Sequence, residues 1–267
     1  TVTVTATPSD PAAEPAETTP KIAHGLIYHT TNQAMERLAK HLSNIFGPWH
    51  GRVSFSSEVR LDDDEKSQLV LEGRMQREWA QDNVRFGARY EFGRNNGATK
   101  TDEIKAEGYW RHDFSNHLLS LYSPTLEWNR SNFTEDDVPD DYVFLQQQVG
   151  IGYNLLARDD QKLRIGVAEN LFNIWRLEPK IRQYFAHTEA LFFEAELTLP
   201  YHIAITDRGS WYYAFSDGAT GWENQFEVAK KLSETLSLAV RQEVRHNTPG
   251  LEVKNYTLWR FLLGLDF

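Results

Sequence analysis

The strongest constraint on what this chain can fold into is its last stretch, Leu251 to Phe267, which reads LEVKNYTLWRFLLGLDF. Alternate residues place Val253, Asn255, Thr257, Trp259, Phe261, Leu263, Leu265 and Phe267 on one face, and Lys254, Tyr256, Leu258, Arg260, Leu262, Gly264 and Asp266 on the other. A period of two is that of a strand with unlike faces. The first face is wholly apolar toward its end and the second carries the charges. A soluble sheet seldom closes its chain on so many outward apolar residues and a terminal aromatic. A membrane barrel does, with alternate side chains in lipid and a polar lumen behind them.

No run in the sequence approaches the ~20 apolar residues of a membrane helix. If the chain crosses a bilayer it must therefore do so as a closed barrel, the other architecture that pairs every backbone group. Its 267 residues are enough for one large domain. The formal charge of -10 and a pI near 5.4 argue against nucleic acid as a partner. There is no cysteine, which removes disulfides and thiolate metal sites. Thr1 follows no basic and apolar leader, and we read the sequence as a mature exported form or a trimmed one.

Residues 1–20 begin with alternating Thr and Val and continue as a Pro-, Ala- and acid-rich segment, expected to be an extended periplasmic tail. Residues 21–48 are expected to hold an amphipathic helix. Met35, Leu38, Ala39, Leu42, Ile45 and Phe46 recur at helical spacing, Thr31 or Asn32 offers a cap, and Gly47-Pro48 a stop. At residues 32–46 this helix is too short to span a bilayer. It is expected to pack on a surface, to plug a lumen or to dock a partner.

From Trp49 onward the period is two. It predicts twelve strands, at about 51–62, 67–80, 83–94, 102–114, 117–130, 141–156, 162–176, 181–198, 201–215, 222–231, 236–247 and 252–267. Most of these lengths suit tilted membrane strands. In the third strand Val84, Phe86, Ala88, Tyr90 and Phe92 oppose Arg85, Gly87, Arg89, Glu91 and Gly93. The phase is poor in strands one, seven and eight. Even-to-odd connections, such as Ser115-Asn116 and Ser233-Glu234, are shorter than the opposite set. That asymmetry fits periplasmic turns and outer loops, with both termini periplasmic. The fold class read from the chain is thus an all-β, twelve-stranded antiparallel transmembrane barrel over residues 49–267, in a Gram-negative outer membrane.

Three segments sharpen this: YVFLQQQVGIGYNLLARDDQKLRIGVAENL, HTEALFFEAEL, and WENQFEVAKKLSETLSLAVRQEVRHNTPGLEVKNYTLWRFLLGLDF. Together with Trp49-His50-Gly51 and the RYEFG segment at 89–93, they resemble the family labelled salt-induced outer-membrane proteins, a domain of unknown function. The chain departs from that family at Asp62-Asp63-Asp64, where a Gly-Asn turn is usual. The resemblance implies a closed outer-membrane barrel and brings neither substrate nor catalytic residues. At the N-terminus, Thr1, Val2, Thr3, Val4, Thr5 and Ala6 are similar to the TonB box of TonB-dependent transporters. An extended β-prone segment is suited to strand addition to a partner, and a TonB-type periplasmic protein or another envelope subunit is the partner this implies. The plug domain and far larger barrel of those transporters have no counterpart here.

The candidate site is the polar face of the strands. Glu72, Arg74 and Glu78, then Arg85, Arg89 and Glu91, then Lys105, Glu107, Arg111 and Asp113, with Arg241, Glu243 and Arg260 from the closing pair, are expected to point into the lumen. There they would either fill the interior as ion pairs or set selectivity. No catalytic residues, metal site or cofactor is expected. Gly-x-Ser-x-Gly and His-Glu-x-x-His are absent, and His112, His187, His202 and His246 are the histidines placed on or beside strands. The acidic runs at Asp62–Glu65, Glu135–Asp137 and Asp140-Asp141 read as solvated loop tips. Gly150 and Gly152 sit in mid-strand and are expected to relieve crowding in the lumen. The function this predicts is an outer-membrane channel, or a barrel subunit of an envelope transport assembly, surrounded by outer-membrane lipid. A passive small-solute porin is the alternative, and an outer-membrane lipid hydrolase or protease the third reading.

Overall fold

The computed structural model describes residues 21–61, 65–95, 98–130, 141–177, 182–215, 218–247 and 255–267. Among them, a helix α1 (Lys21–Phe46) precedes twelve strands. The first six are β1 (His50–Leu61), β2 (Glu65–Glu78), β3 (Asp82–Asn95), β4 (Ala98–Asp113), β5 (Leu118–Asn129) and β6 (Tyr142–Ala157). The rest are β7 (Gln161–Arg176), β8 (Arg182–Leu199), β9 (Ile203–Tyr213), β10 (Thr220–Lys231), β11 (Leu236–His246) and β12 (Tyr256–Asp266). Each strand is antiparallel to its sequence neighbours, and β1 pairs with β12, so the sheet closes on itself as a barrel. No helix among the described residues is long and apolar enough to cross a membrane.

Tight turns gather at the end that also holds His50 and Phe267, here called the terminal end. Two of them follow one recipe. In Phe114–Leu118 the Ser115 hydroxyl accepts the Leu118 N–H at 3.1 Å, and in Leu232–Leu236 the Ser233 hydroxyl accepts the Leu236 N–H at 3.1 Å. Serine at a turn start supplies this local acceptor. The chain enters β9 later than the periodicity predicts, because Pro200–His202 forms a 3-10 turn with Tyr201 and His202 at φ of 65° and 58°. Residues in that left-handed region do not continue a strand. The helix in turn begins earlier than predicted, running on through Gly25 and Thr30-Thr31 to Lys21.

Burial alternates along the strands as their sequence does. The outward positions expose Phe55, Leu71, Phe86, Ile104, Leu126, Val149, Ile151, Val167, Leu191, Phe261 and Leu263, with Trp110, Trp128, Trp211, Trp222 and Trp259 among them. Large apolar side chains in every sector of an outer wall, backed by a polar interior, are the signature of a barrel whose solvent is lipid. The inward positions form two unlike walls. From β5 to β9, Leu119, Leu121, Tyr142, Phe144, Phe172, Ile174, Phe192 and Tyr212 pack into one buried cluster. The wall formed by β1 to β4 and β10 to β12 is charged. Gly152 and Gly166 face each other across β6 and β7, and the Phe192 ring occupies the space their side chains would need.

Candidate functional site: the barrel lumen

Most of the residues predicted to line the lumen sit in ion pairs; Glu78, at the end of β2, is exposed and accepts from the Asn83 amide. On β11, Arg241 reaches Glu72 and Glu227, each at 2.5 Å. Arg74 contacts Glu72 at 2.5 Å and Glu227 at 3.3 Å. Arg89 bonds Glu243 at 2.8 Å, while Arg260 bonds Glu91 at 2.6 Å and Glu243 at 2.7 Å. Lys105 pairs with Glu107 at 2.6 Å and Arg111 with Asp113 at 3.1 Å, both along one strand. Alternation places these groups on the inner face, and the twist of a closed sheet carries them within reach across non-adjacent strands.

Further contacts cross the lumen. Near the end opposite the termini, Glu127 of β5 accepts from Arg245 of β11 at 3.0 Å, and these strands lie six places apart in either direction around the ring. Tyr142 donates its hydroxyl to the same carboxylate. Arg245 and Glu127 are 4% and 1% exposed, so the bridge is closed to solvent. Nearer the terminal end, Arg85 of β3 pairs with Glu194 of β8. Glu194 also takes Arg164 at 2.9 Å and the Tyr109 hydroxyl at 3.1 Å, and the Arg85 guanidinium lies 3.8 Å from the centre of the Tyr109 ring. A cavity of about 560 Å³, lined largely by polar and charged residues, extends from the terminal end past Arg85 and Glu194, which line it, to the level of Arg245. Its lining runs from His50, Gly51 and Phe267 at the terminal end to Arg245 and its register partner Tyr256 at the far bridge. No residue of α1 lines it among the described residues.

Sequence reasoning missed Glu127, Glu194, Arg164 and Arg208. They lie on strands whose inner face mixes apolar and uncharged polar residues, such as Leu119, Leu121, Ser123 and Thr125 on β5 and Thr206, Ser210 and Tyr212 on β9, so no charged stripe marks that face. Single charges among uncharged inward residues were the available signal. The histidines are dispersed. His112 lies 3.0 Å from Asp82, which also accepts from Trp110 at 2.8 Å. His187 lies 3.7 Å from Glu169, both outside the lumen. Thr1, Val2, Thr3, Val4, Thr5 and Ala6 lie outside the described residues, as do the acidic runs at 62–64 and 131–140.

Solved structures with similar shape include the translocator domain of autotransporter NalP from Neisseria meningitidis. It has a TM-score of 0.46 and 12% identity, with 91% of this chain and 97% of that one covered. The NanC porin gives a TM-score of 0.43 at 9% identity, covering 82% and 98%. The COG4313 outer membrane channel from Pseudomonas putida F1 gives 0.39 at 11% identity, covering 82% and 93%. Likeness at this level says nothing about what this chain binds or carries. No curated protein sequence matches it. One family model does, over residues 63–267, and the chain belongs to that family, described as a protein of unknown function, DUF481.

Proposed function

We propose that the protein is a constricted channel of the outer membrane, passing small hydrophilic solutes through a lumen held narrow by ion pairs. The observation that carries this reading is the polar cavity of about 560 Å³, enclosed by a wall whose outer face is apolar. A barrel that served only as an anchor would gain nothing from so many inward charges, because each desolvated ion costs several kcal/mol before its partner offsets it. In a channel the same groups decide what enters. The Glu127–Arg245 bridge then forms the barrier at the far end, and the Arg85–Glu194 bridge narrows the lumen nearer the termini.

The test is conductance of the purified full-length protein in planar bilayers. The wild type is expected to give small or infrequent steps, and Glu127→Ala combined with Arg245→Ala larger and steadier ones. A double variant that is folded and inserted, yet conducts no more than bare lipid, rules out the channel and leaves the barrel as a subunit of something larger.

A further inference from the structure

Arg208 differs from every other arginine that points into the lumen. Among the described residues, each of the others has a carboxylate at ion-pair distance, as Arg85, Arg164 and Arg241 do. Arg208 has only a neutral partner: its Nη2 donates to the Gln225 amide oxygen at 2.9 Å. These two residues are register partners on β9 and β10. Gln225 therefore occupies the position where a carboxylate would neutralise the guanidinium. Its neighbours at inward positions of β10 are Glu223 and Glu227, so an amide stands between two acids at the place facing Arg208. Glu227 is taken up by Arg241, and Glu223 accepts from the Tyr212 hydroxyl.

Arg208 and Gln225 both line the cavity, together with the uncharged Thr206, Ser210 and Gln148. Ser210 and Gln148 bond each other at 3.2 Å. Arg74 and Arg85 stand near enough to repel the Arg208 charge; the Glu194 and Glu107 carboxylates attract it from beyond ion-pair distance, and are themselves paired with Arg85, Arg164 and Lys105. A guanidinium that has no carboxylate at ion-pair distance among the described residues, in a confined space and with nearby acids already paired elsewhere, keeps its hydrogen-bonding fork open to a ligand that brings its own negative charge. Its planar fork matches two oxygens of one anionic group.

We propose that Arg208 is the anchor of an oxyanion site in the lumen, binding a carboxylate or phosphate group of a small solute, with Gln225 keeping the site unneutralised. The solute's route to the site rests on the channel reading; the binding itself does not. Titration of inorganic phosphate and of acetate into the detergent-solubilised full-length protein, followed by calorimetry, measures the site directly. Binding is expected in wild type, weakened at least about tenfold in Arg208→Gln. It is also expected to weaken in Gln225→Glu, which adds an ion pair and leaves the guanidinium in place. Heat-modifiable mobility on gels reports whether each variant is a folded barrel.

Equal binding by wild type and folded Gln225→Glu overturns the proposal, as does a wild type that binds neither anion. Phosphate binding that disappears once co-purified lipid is removed assigns the effect to lipid phosphate and also overturns it. Conductance separates the two readings. A protein that never conducts but loses phosphate binding in Gln225→Glu keeps the site and loses the channel. One that conducts with unchanged anion preference in Arg208→Gln keeps the channel and loses the site.

Discussion

At the scale of single residues, one tight constraint is the absence of a side chain. A Cβ on Gly166 would stand 2.3 Å from the Phe192 ring and 2.3 Å from the Ile151 carbonyl oxygen. Aromatic ring and strand backbone both occupy the space, so Gly166→Ala is expected to lower folding stability by about 1–3 kcal/mol, the usual cost of overpacking. The shift of the urea midpoint in detergent micelles measures it. Adding Phe192→Ala relieves only one of the two clashes, so the double variant should not regain more than the Phe192→Ala single variant has lost. A Gly166→Ala protein as stable as wild type would show that the wall yields there. The sequence carried part of this. Gly150 and Gly152 stood out as mid-strand glycines, but Gly166 became visible only once register set it opposite Gly152. The charges divide the same way. Arg85, Arg89 and Glu91 were legible because they alternate with Val84, Phe86 and Phe92. Glu194 was hidden because its strand sets Phe192 inward and Phe193 outward, and both faces read as apolar.

At the scale of elements, the seam between first and last strands is the shortest joint of the barrel among the described residues. Pairing of β1 with β12 runs only from Arg52 opposite Asp266 to Phe55 opposite Leu263, whereas β11 pairs with β12 from Leu236–Leu265 to Arg245–Tyr256. The seam is extended at the terminal end by Phe267, whose N–H donates to the Gly51 carbonyl at 2.9 Å and whose carbonyl accepts from the Gly51 N–H at 3.0 Å. Its ring also lies 5.4 Å from that of Phe46, tying α1 to the closing strand. Deleting Phe267 removes both bonds and that contact. We expect faster amide exchange in Arg52–Phe55 and Leu263–Asp266, with β6 and β7 unchanged, since exchange reports local opening. Uniform protection across the barrel would contradict a weak seam. The closing strand was readable from its alternation alone, but its partner was not, because β1 has poor phase and only ring closure identifies it. The helix was legible where its apolar spacing is regular. Its first turns were not, because Thr31 and Asn32 read as caps, although a Thr or Asn inside a helix costs it less than about 1 kcal/mol.

At the scale of the whole molecule, the bridge between Glu127 and Arg245 joins opposite sides of the ring, so it acts on barrel shape as well as on solute passage. Both groups are desolvated, and Arg245 also lies over the Phe144 and Tyr256 rings, 5.7 Å and 5.3 Å from their centres. Removing one member leaves the other charge buried without its counterpart. Glu127→Leu is therefore expected to cost about 3–5 kcal/mol. Replacing both together exchanges a buried pair for apolar packing next to the cluster of Phe144, Phe172 and Tyr212, and is expected to be far less costly than either single change. Urea titrations of the two single variants and the double variant close the cycle. A strongly non-additive result, with the double variant near wild type, places the pair's role in gating the lumen, since stability then does not require it. Additive losses would mean that the bridge holds the two walls at their distance, and that the lumen cannot open there without loss of the barrel. The first result also predicts that the double variant conducts while remaining as resistant to unfolding as the parent, a combination that a purely structural bridge does not allow.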